Sequence, residues 1–519
     1  MIKSDSALWR KVADSIYKRN ILEFTVFVCG SVVMIYEIIG SRLLSPFIGT
    51  STYVWTSLIG VILASLSLGY WYGGRIADRK PDIKYLAAVI FTAGGLISVT
   101  VMVKEVLLSK IASLALGLEL KSVIAAILLF APASVCLGMV TPFAVRLRMT
   151  AIESTGRTVG RLYALSTVGS IVGTFAAGFF LIPFVGSVRT LYLIAAALVL
   201  VGSLTAPLAF STRNIAVVVL LILGIAVTEI NIYVLRTQGG VIDVDTEYSR
   251  FQVFTTDDPT TGKSMRALAF DPFIVQSAMF VGSDDLVFEY TRYYHLVRHF
   301  KPDFSHTLMI GGAGYSYPKE FVRTYPNADI DVVEIDPGMT ELAREQFHLH
   351  DSHKMHIIHQ DGRMFLNEAP PAAYDAVFID VAGSLFTIPS HLTTVEAVRN
   401  VSRILKDDGV VIFNLGSSIT GPSSGLLHAE LRTYSEVFPH VYLFKVKPEH
   451  TDDHLQNLII VATKSPTENL SNSDPEITRL LSHRYLPELP MDQQTLTDDL
   501  APVEYYNSIA QDAFLSEHR

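Results

Sequence analysis

The chain has 519 residues, 50% hydrophobic and 18% charged, with a formal net charge of -9 and a mean hydropathy of +0.36. This is too apolar for a soluble enzyme and too charged for a chain lying wholly in a bilayer, so a membrane part fused to a soluble part is expected. The negative balance, with no dense Lys/Arg stripe interleaved with aromatics, argues against nucleic acid as a partner. The only cysteines, Cys29 and Cys136, can build neither a disulfide framework nor a CxxC metal site.

The basic start MIKSDSALWRKVADSIYKRN runs into a long apolar stretch without a small-residue cleavage pattern, so a retained anchor helix is expected, not a cleaved signal. A bilayer-spanning helix needs about 20 mostly apolar residues. Seven segments before residue 240 qualify, at 21–40, 54–77, 85–103, 122–145, 162–184, 188–210 and 215–235. The region 1–238 is therefore expected to be a multi-pass α-helical domain in the cell (inner) membrane. With the N-terminus cytoplasmic, Lys and Arg concentrate at the inner ends (Arg75, Arg79, Lys80, Lys84, Arg146, Arg148, Arg157 and Arg161 beside the N-terminal cluster) and are sparser at the outer ends. Seven spans would then place the soluble half outside, at odds with the side favoured by the residues of that half described below. Either one segment does not span, or a partial span at 105–118 dips into the bilayer, or the soluble half faces outward; a miscounted segment, and a cytoplasmic soluble half, is favoured.

Within this half, Gly169 and Gly173 form a GxxxG that lets a neighbouring helix approach, with Gly178 further along. Glu37 is an ionisable group in or near hydrocarbon with Arg42 as its obvious partner, serving either topology or a substrate. Pro132 and Pro142 imply a kinked or broken fourth segment. YGGRIADRKPD resembles the short cytoplasmic loop motif of major facilitator transporters.

From Gly240 the pattern changes. TEYSRFQVF, KSMRALAFD and FIVQSAMF read as a small antiparallel preamble over 239–283. A Rossmann-like α/β core over 284–464 follows, with a tail over 465–519. Strands are expected at 307–310, 330–335, 355–359, 376–379, 410–414, 441–446 and 458–462, and helices at 318–325, 339–346, 363–367, 394–405 and 426–438. This alternation predicts a parallel sheet with helices on both faces and a ligand at the carboxyl ends of the strands. Those ends carry the informative residues. TLMIGGAGYSYPKE places Gly311, Gly312 and Gly314 between strand and helix, where backbone can approach a ligand. DVVEIDP offers Glu334 to ribose hydroxyls, HQDGR offers Asp361 to an adenine amino group, and FIDVAG offers Asp380 beside the chemistry. Capping of helix N-termini would account for any one of these carboxylates.

With these residues the stretch from Thr246 to Ala462 resembles the spermidine synthase (polyamine aminopropyltransferase) family, whose core has the class I methyltransferase fold. The whole chain, including EIIGSRLLSPFIGTSTYVW and TDDLAPVE, is similar to that family's membrane-fused members. The resemblance implies a transferase acting on an amine such as putrescine with decarboxylated S-adenosylmethionine. It implies that Gly311, Gly312 and Gly314 hold this cofactor, Glu334 its ribose, Asp361 with Gly362 its adenine, and Gln276 the reactive side, with Asp380 catalytic. It leaves a homodimer open. The acceptor is either a small amine or one delivered by the membrane. The alternatives are a methyltransferase using S-adenosylmethionine, and a transporter or sensor with a non-catalytic nucleoside-binding domain.

The departures concern the amine site. The family's glycine-rich loop reads GGGDGG where Gly314 stands here, its fourth-strand loop carries a second Asp near Gly383, and its Tyr-His-Glu run becomes Phe288, Glu289 and Tyr290. A dication in a less acidic pocket loses Coulombic attraction. Tyr290, Tyr293, Tyr294 and His295 then line either a remodelled acceptor pocket or the core. His348, His350, His353, His356 and His359 cross a loop into a strand with no nearby Cys, a poor pattern for zinc, so no metal is expected.

Overall fold

The computed structural model describes all residues except 1, 50, 115, 150–154, 207–211, 238, 272–273, 382, 384–386, 467–470, 491 and 518–519; it also leaves undescribed the side chains of 2–18, 155, 212–214, 231–232, 235–236 and 517. Lys3, Arg10, Lys11 and Lys18 of the N-terminal basic cluster, and Phe210 at the end of the sixth expected span, therefore lie outside the described residues or side chains. The chain divides into two compact units, Met1–Gln238 and Gly239–Arg519.

In the first unit, long apolar helices bury one face against each other. Among the described residues, six helices are long and apolar enough to cross a membrane: Arg19–Ile48, Thr52–Arg79, Ile83–Ala112, Leu118–Arg148, Gly156–Val185 and Ser187–Thr205. The seventh expected span falls in the helix Thr212–Thr237, whose described apolar stretch, Ile215–Ile230, is shorter. The partial span posited at 105–118 does not form as a separate element, because its first half continues the helix Ile83–Ala112. Nor is the fourth segment broken: Leu118–Arg148 is one helix through Pro132 and Pro142. The GxxxG works as a close-packing face. A Cβ on Gly169 would lie 2.1 Å from the Phe27 carbonyl oxygen, and one on Gly173 2.3 Å from that of Ser31. The Ser31 hydroxyl donates to the Gly169 carbonyl at 2.8 Å. Gly178 faces open space. At one end of this unit Glu23 pairs with Arg148 and, at 2.9 Å, with Arg161, so residues counted on the inner side cluster together. Glu37 and Arg42 are both half-buried on the first helix.

The second unit begins with a four-stranded antiparallel sheet, β1 (Ile242–Asp245), β2 (Arg250–Asp257), β3 (Ser264–Ala269) and β4 (Val275–Phe280), in sequential order. A seven-stranded sheet follows: β5 (His306–Ile310), β6 (Asp329–Glu334), β7 (Met355–His359), β8 (Tyr374–Ile379), β9 (Leu405–Ser417), β10 (His440–Lys445) and β11 (Gln456–Thr463), in the order β10-β11-β9-β8-β5-β6-β7. Strand period sends Leu308, Ile310, Val377 and Ile379 to one hydrophobic core and Met309, Ala376 and Phe378 to the other, one on each face. The sheet is mixed, where a parallel one was expected: β11 runs antiparallel to both β9 and β10. Strand order reverses between β5 and β8, which opens a crevice at their carboxyl ends. Thr246 of the preamble donates to Asp336 Oδ2 at 2.5 Å, tying the small sheet to the core.

Candidate functional site

The loop after β5 sets the site's geometry. Gly311 has φ +97°, and a Cβ there would lie 2.1 Å from the Asp380 carbonyl oxygen, so only glycine lets the chain pass this close to the end of β8. Ala313 and Tyr315 also sit at positive φ, 45° and 54°, a conformation that costs a non-glycine residue of order 1–3 kcal/mol and that clusters at ligand sites. Glu334 at the end of β6 offsets that cost: its Oε2 accepts from the Gly312 and Ala313 amides at 2.9 and 3.1 Å, and its Oε1 from the Asp336 amide at 2.9 Å. Burial raises the Glu334 carboxyl above its ordinary value, while these amides pull in the opposite direction. Beneath the loop, Tyr315 and His359 both hydrogen-bond the Thr340 hydroxyl, at 2.7 and 2.9 Å.

The neighbouring strand ends contribute in turn. Asp361 after β7 caps the helix Gly362–Glu368, accepting from the Arg363 and Met364 amides at 2.9 and 3.0 Å, and Gly362 has no room for a Cβ, which would meet Ile310 at 2.7 Å. Asp380 after β8 accepts from Asn414 Nδ2 at 3.1 Å and from the Tyr290 hydroxyl at 3.3 Å. Asn457 of β11 donates to Asn414 Oδ1 at 3.0 Å, so a chain of amides from two strands orients the carboxylate. Desolvation raises the Asp380 carboxyl, and the hydrogen bonds from Asn414 and Tyr290, with the Tyr294 phenol nearby, partly offset it. The buried Tyr294 phenol lies against the same carboxylate, and its hydroxyl has no partner in hydrogen-bond geometry.

These groups surround a cavity of ≈ 490 Å³, within the range that takes a nucleoside-sized ligand. Gly311, Gly312, Glu334, Asp361, Gly362, Gln276, Asp380 and Tyr290 all line it. Gln276 reaches across from β4 to the Gly383 carbonyl at 3.2 Å. Apolar Ile335, Met339 and Leu392 line the same cavity as Asp361. Four expected residues stand apart from the lining, among them Tyr293, whose hydroxyl donates to the Lys445 carbonyl at 2.8 Å. Gly314 packs against the preamble, where a Cβ would come within 2.5 Å of Ser277 Oγ. Tyr294 is wholly buried, in ring contact with Tyr317 and Phe378. His295 turns away, its Nδ1 2.5 Å from the Tyr325 hydroxyl, and burial lowers its pKa to about 4. The histidine stretch disperses: His356 bonds Asp331 at 3.0 Å, and among the described residues no group of three or more His, Cys, Asp or Glu could hold a metal ion. Glu37 and Arg42 belong to the other unit.

Sequence reasoning missed Asn414 and Asn457. Asn414 is a lone amide in the apolar strand VVIFNLGS, and Asn457 follows Gln456 at the head of the apolar run QNLIIVAT; those interruptions were the available signal.

Residues 287–468 match the spermine/spermidine synthase domain. The chain is 32% identical over 152 residues to a polyamine aminopropyltransferase of Vibrio vulnificus, covering 29% of this chain and 49% of that one. It is 24% identical over 437 residues to polyamine aminopropyltransferase 1 of Streptomyces coelicolor, covering 78% and 77%. It is 30% identical over 153 residues to a human eEF1A lysine and N-terminal methyltransferase, covering 27% and 21%. The match thus spans half or less of the Vibrio and human relatives. Among solved structures, a probable spermidine synthase from Corynebacterium glutamicum aligns with a TM-score of 0.40 at 23% identity, covering 52% of this chain and 94% of that one.

Proposed function

We propose that the second unit, whose residues 287–468 are a spermine/spermidine synthase domain, is a transferase that moves an alkyl group from an adenosyl sulfonium donor to an amine, with aminopropyl transfer from decarboxylated S-adenosylmethionine as the first reading. The observation that carries it is the convergence of Gly311, Glu334, Asp361 and Asp380, from four strand ends, on one cavity. Glu334 would accept from the donor's ribose, and Asp361 with Gly362 would hold its adenine. When bound, the donor supplies an electrophilic carbon on a positively charged sulfur. Asp380, oriented by Asn414 and Tyr290, draws the amine into line, favours the charge passing through the site, and takes up the proton the alkylated nitrogen sheds.

Methyl transfer from S-adenosylmethionine is the second reading, and Gly314 favours it. Ser277 fills the space beside Gly314, so no carboxylate can enter there to hold a donor's terminal ammonium, whereas a carboxyl-bearing donor neutralises its own. Incubating the purified chain with each labelled donor separates the two. Label should reach the amine from one of them, and Asp380→Asn should lower kcat/KM about 100-fold or more. Transfer unaffected by that substitution would remove Asp380 from the mechanism.

We also assign the first unit to the membrane, on the length and composition of its six helices. With the N-terminus cytoplasmic, an even number of crossings leaves the second unit cytoplasmic as well. A reporter fused to the C-terminus should be active only as a cytoplasmic fusion; an extracytoplasmic signal would reverse the assignment.

A further inference from the structure

The ionisable side chains around the cavity limit what the acceptor can be. Glu334 is committed to three backbone amides. Asp336 is held by the Gly338 and Met339 amides and by Thr246, and Asp361 by its own helix and by His391 at 3.3 Å. Glu289 is neutralised by Arg479 at 2.7 Å and Arg292 at 3.5 Å. Asp380 remains, with only uncharged donors on its oxygens. No acidic residue occurs in the sequence between Asp380 and Glu396, or from Gly311 to Lys319, so neither loop at the reacting end can supply a second carboxylate. The exposed Lys447 lines the same cavity and adds a positive charge. Beside Asp380 the walls are aromatic, with Phe288 and Tyr290 stacked at 5.9 Å, surfaces that accept one cationic or alkylated amine on their faces.

A diamine entering this site would bring a second ammonium with no carboxylate to meet it and a lysine to repel it. We propose that the acceptor is an amine with a single positive charge and a neutral or anionic remainder, as in an amino acid or a peptide amino terminus. The inference rests on the transferase reading and holds for either donor. In the step, the acceptor ammonium first gives up a proton to solvent, and the neutral nitrogen's lone pair then forms the N–C bond as the C–S bond breaks. The released pair stays on sulfur as a neutral thioether, and the nitrogen's surplus proton passes to Asp380 and on to water.

The test uses the full chain in detergent or nanodiscs with whichever labelled donor binds, comparing 4-aminobutanoate with 1,4-diaminobutane. The expected kcat/KM favours 4-aminobutanoate at least tenfold, and Lys447→Glu, at an exposed position, shifts the ratio at least tenfold toward the diamine. Preference for the diamine in the unsubstituted chain, an unchanged ratio in Lys447→Glu, or turnover of neither amine while a donor still binds would each overturn this inference alone. Absence of donor binding in calorimetry would overturn the transferase reading and this inference with it.

Discussion

Asp380 carries an unfavourable burial and a favourable set of hydrogen bonds, and the balance between them sets when it can act. Because desolvation raises its carboxyl in the folded protein, the proton is held to higher pH than in the unfolded chain. Its contribution to stability is therefore full below the ordinary carboxylate range and is lost as pH rises through the folded value, while activity needs the ionised form. Asn414 opposes the rise by donating to the carboxylate. Asn414→Leu should accordingly move the acid limb of the kcat/KM profile to higher pH by about one to two units, the equivalent of one hydrogen bond to a charged group. An unmoved limb would show that another group titrates there. Asp380 itself was legible in the sequence, because FIDVAG marks a strand end. Its support was not, because Asn414 and Asn457 lie 43 residues apart and meet only once β11 pairs with β9.

Elements explain which parts of the crevice could be read. Alternating hydrophobic runs located the core strands and helices closely, because β5, β6, β7 and β8 are each followed within two residues by a glycine or a carboxylate that punctuates the pattern. The same pattern cannot reveal strand direction, so the antiparallel β11 was read into a parallel sheet. The glycine loop was legible as flexible backbone, yet its division of labour was not. Gly311 clears the β8 carbonyl, whereas Gly314 clears Ser277 of the preamble, a contact formed across 37 residues of chain. Gly311→Ala would set a Cβ against backbone at an already positive φ. It should destabilise the second unit by about 2 kcal/mol or more and abolish donor affinity, measured by thermal unfolding and calorimetry. A variant of unchanged stability that still binds would mean that the loop has room the structure does not show.

At the scale of the whole chain, composition alone separated an apolar part from a less apolar one, and the proposed orientation of the first rests on charge asymmetry. The parity question turns on the segment near residue 215, whose described apolar stretch is short. The GxxxG was legible as a packing face; its partner was not, since Phe27 and Ser31 sit on a helix more than a hundred residues away. The central claim is that the second unit, in the intact chain, holds an adenosyl sulfonium compound through Glu334 and Asp361. Titrating the purified full chain with decarboxylated and ordinary S-adenosylmethionine in a calorimeter tests it most directly. The account predicts saturable binding of at least one of them with one site per chain, weakened at least tenfold by Asp361→Ala. No heat of binding from either compound would contradict it.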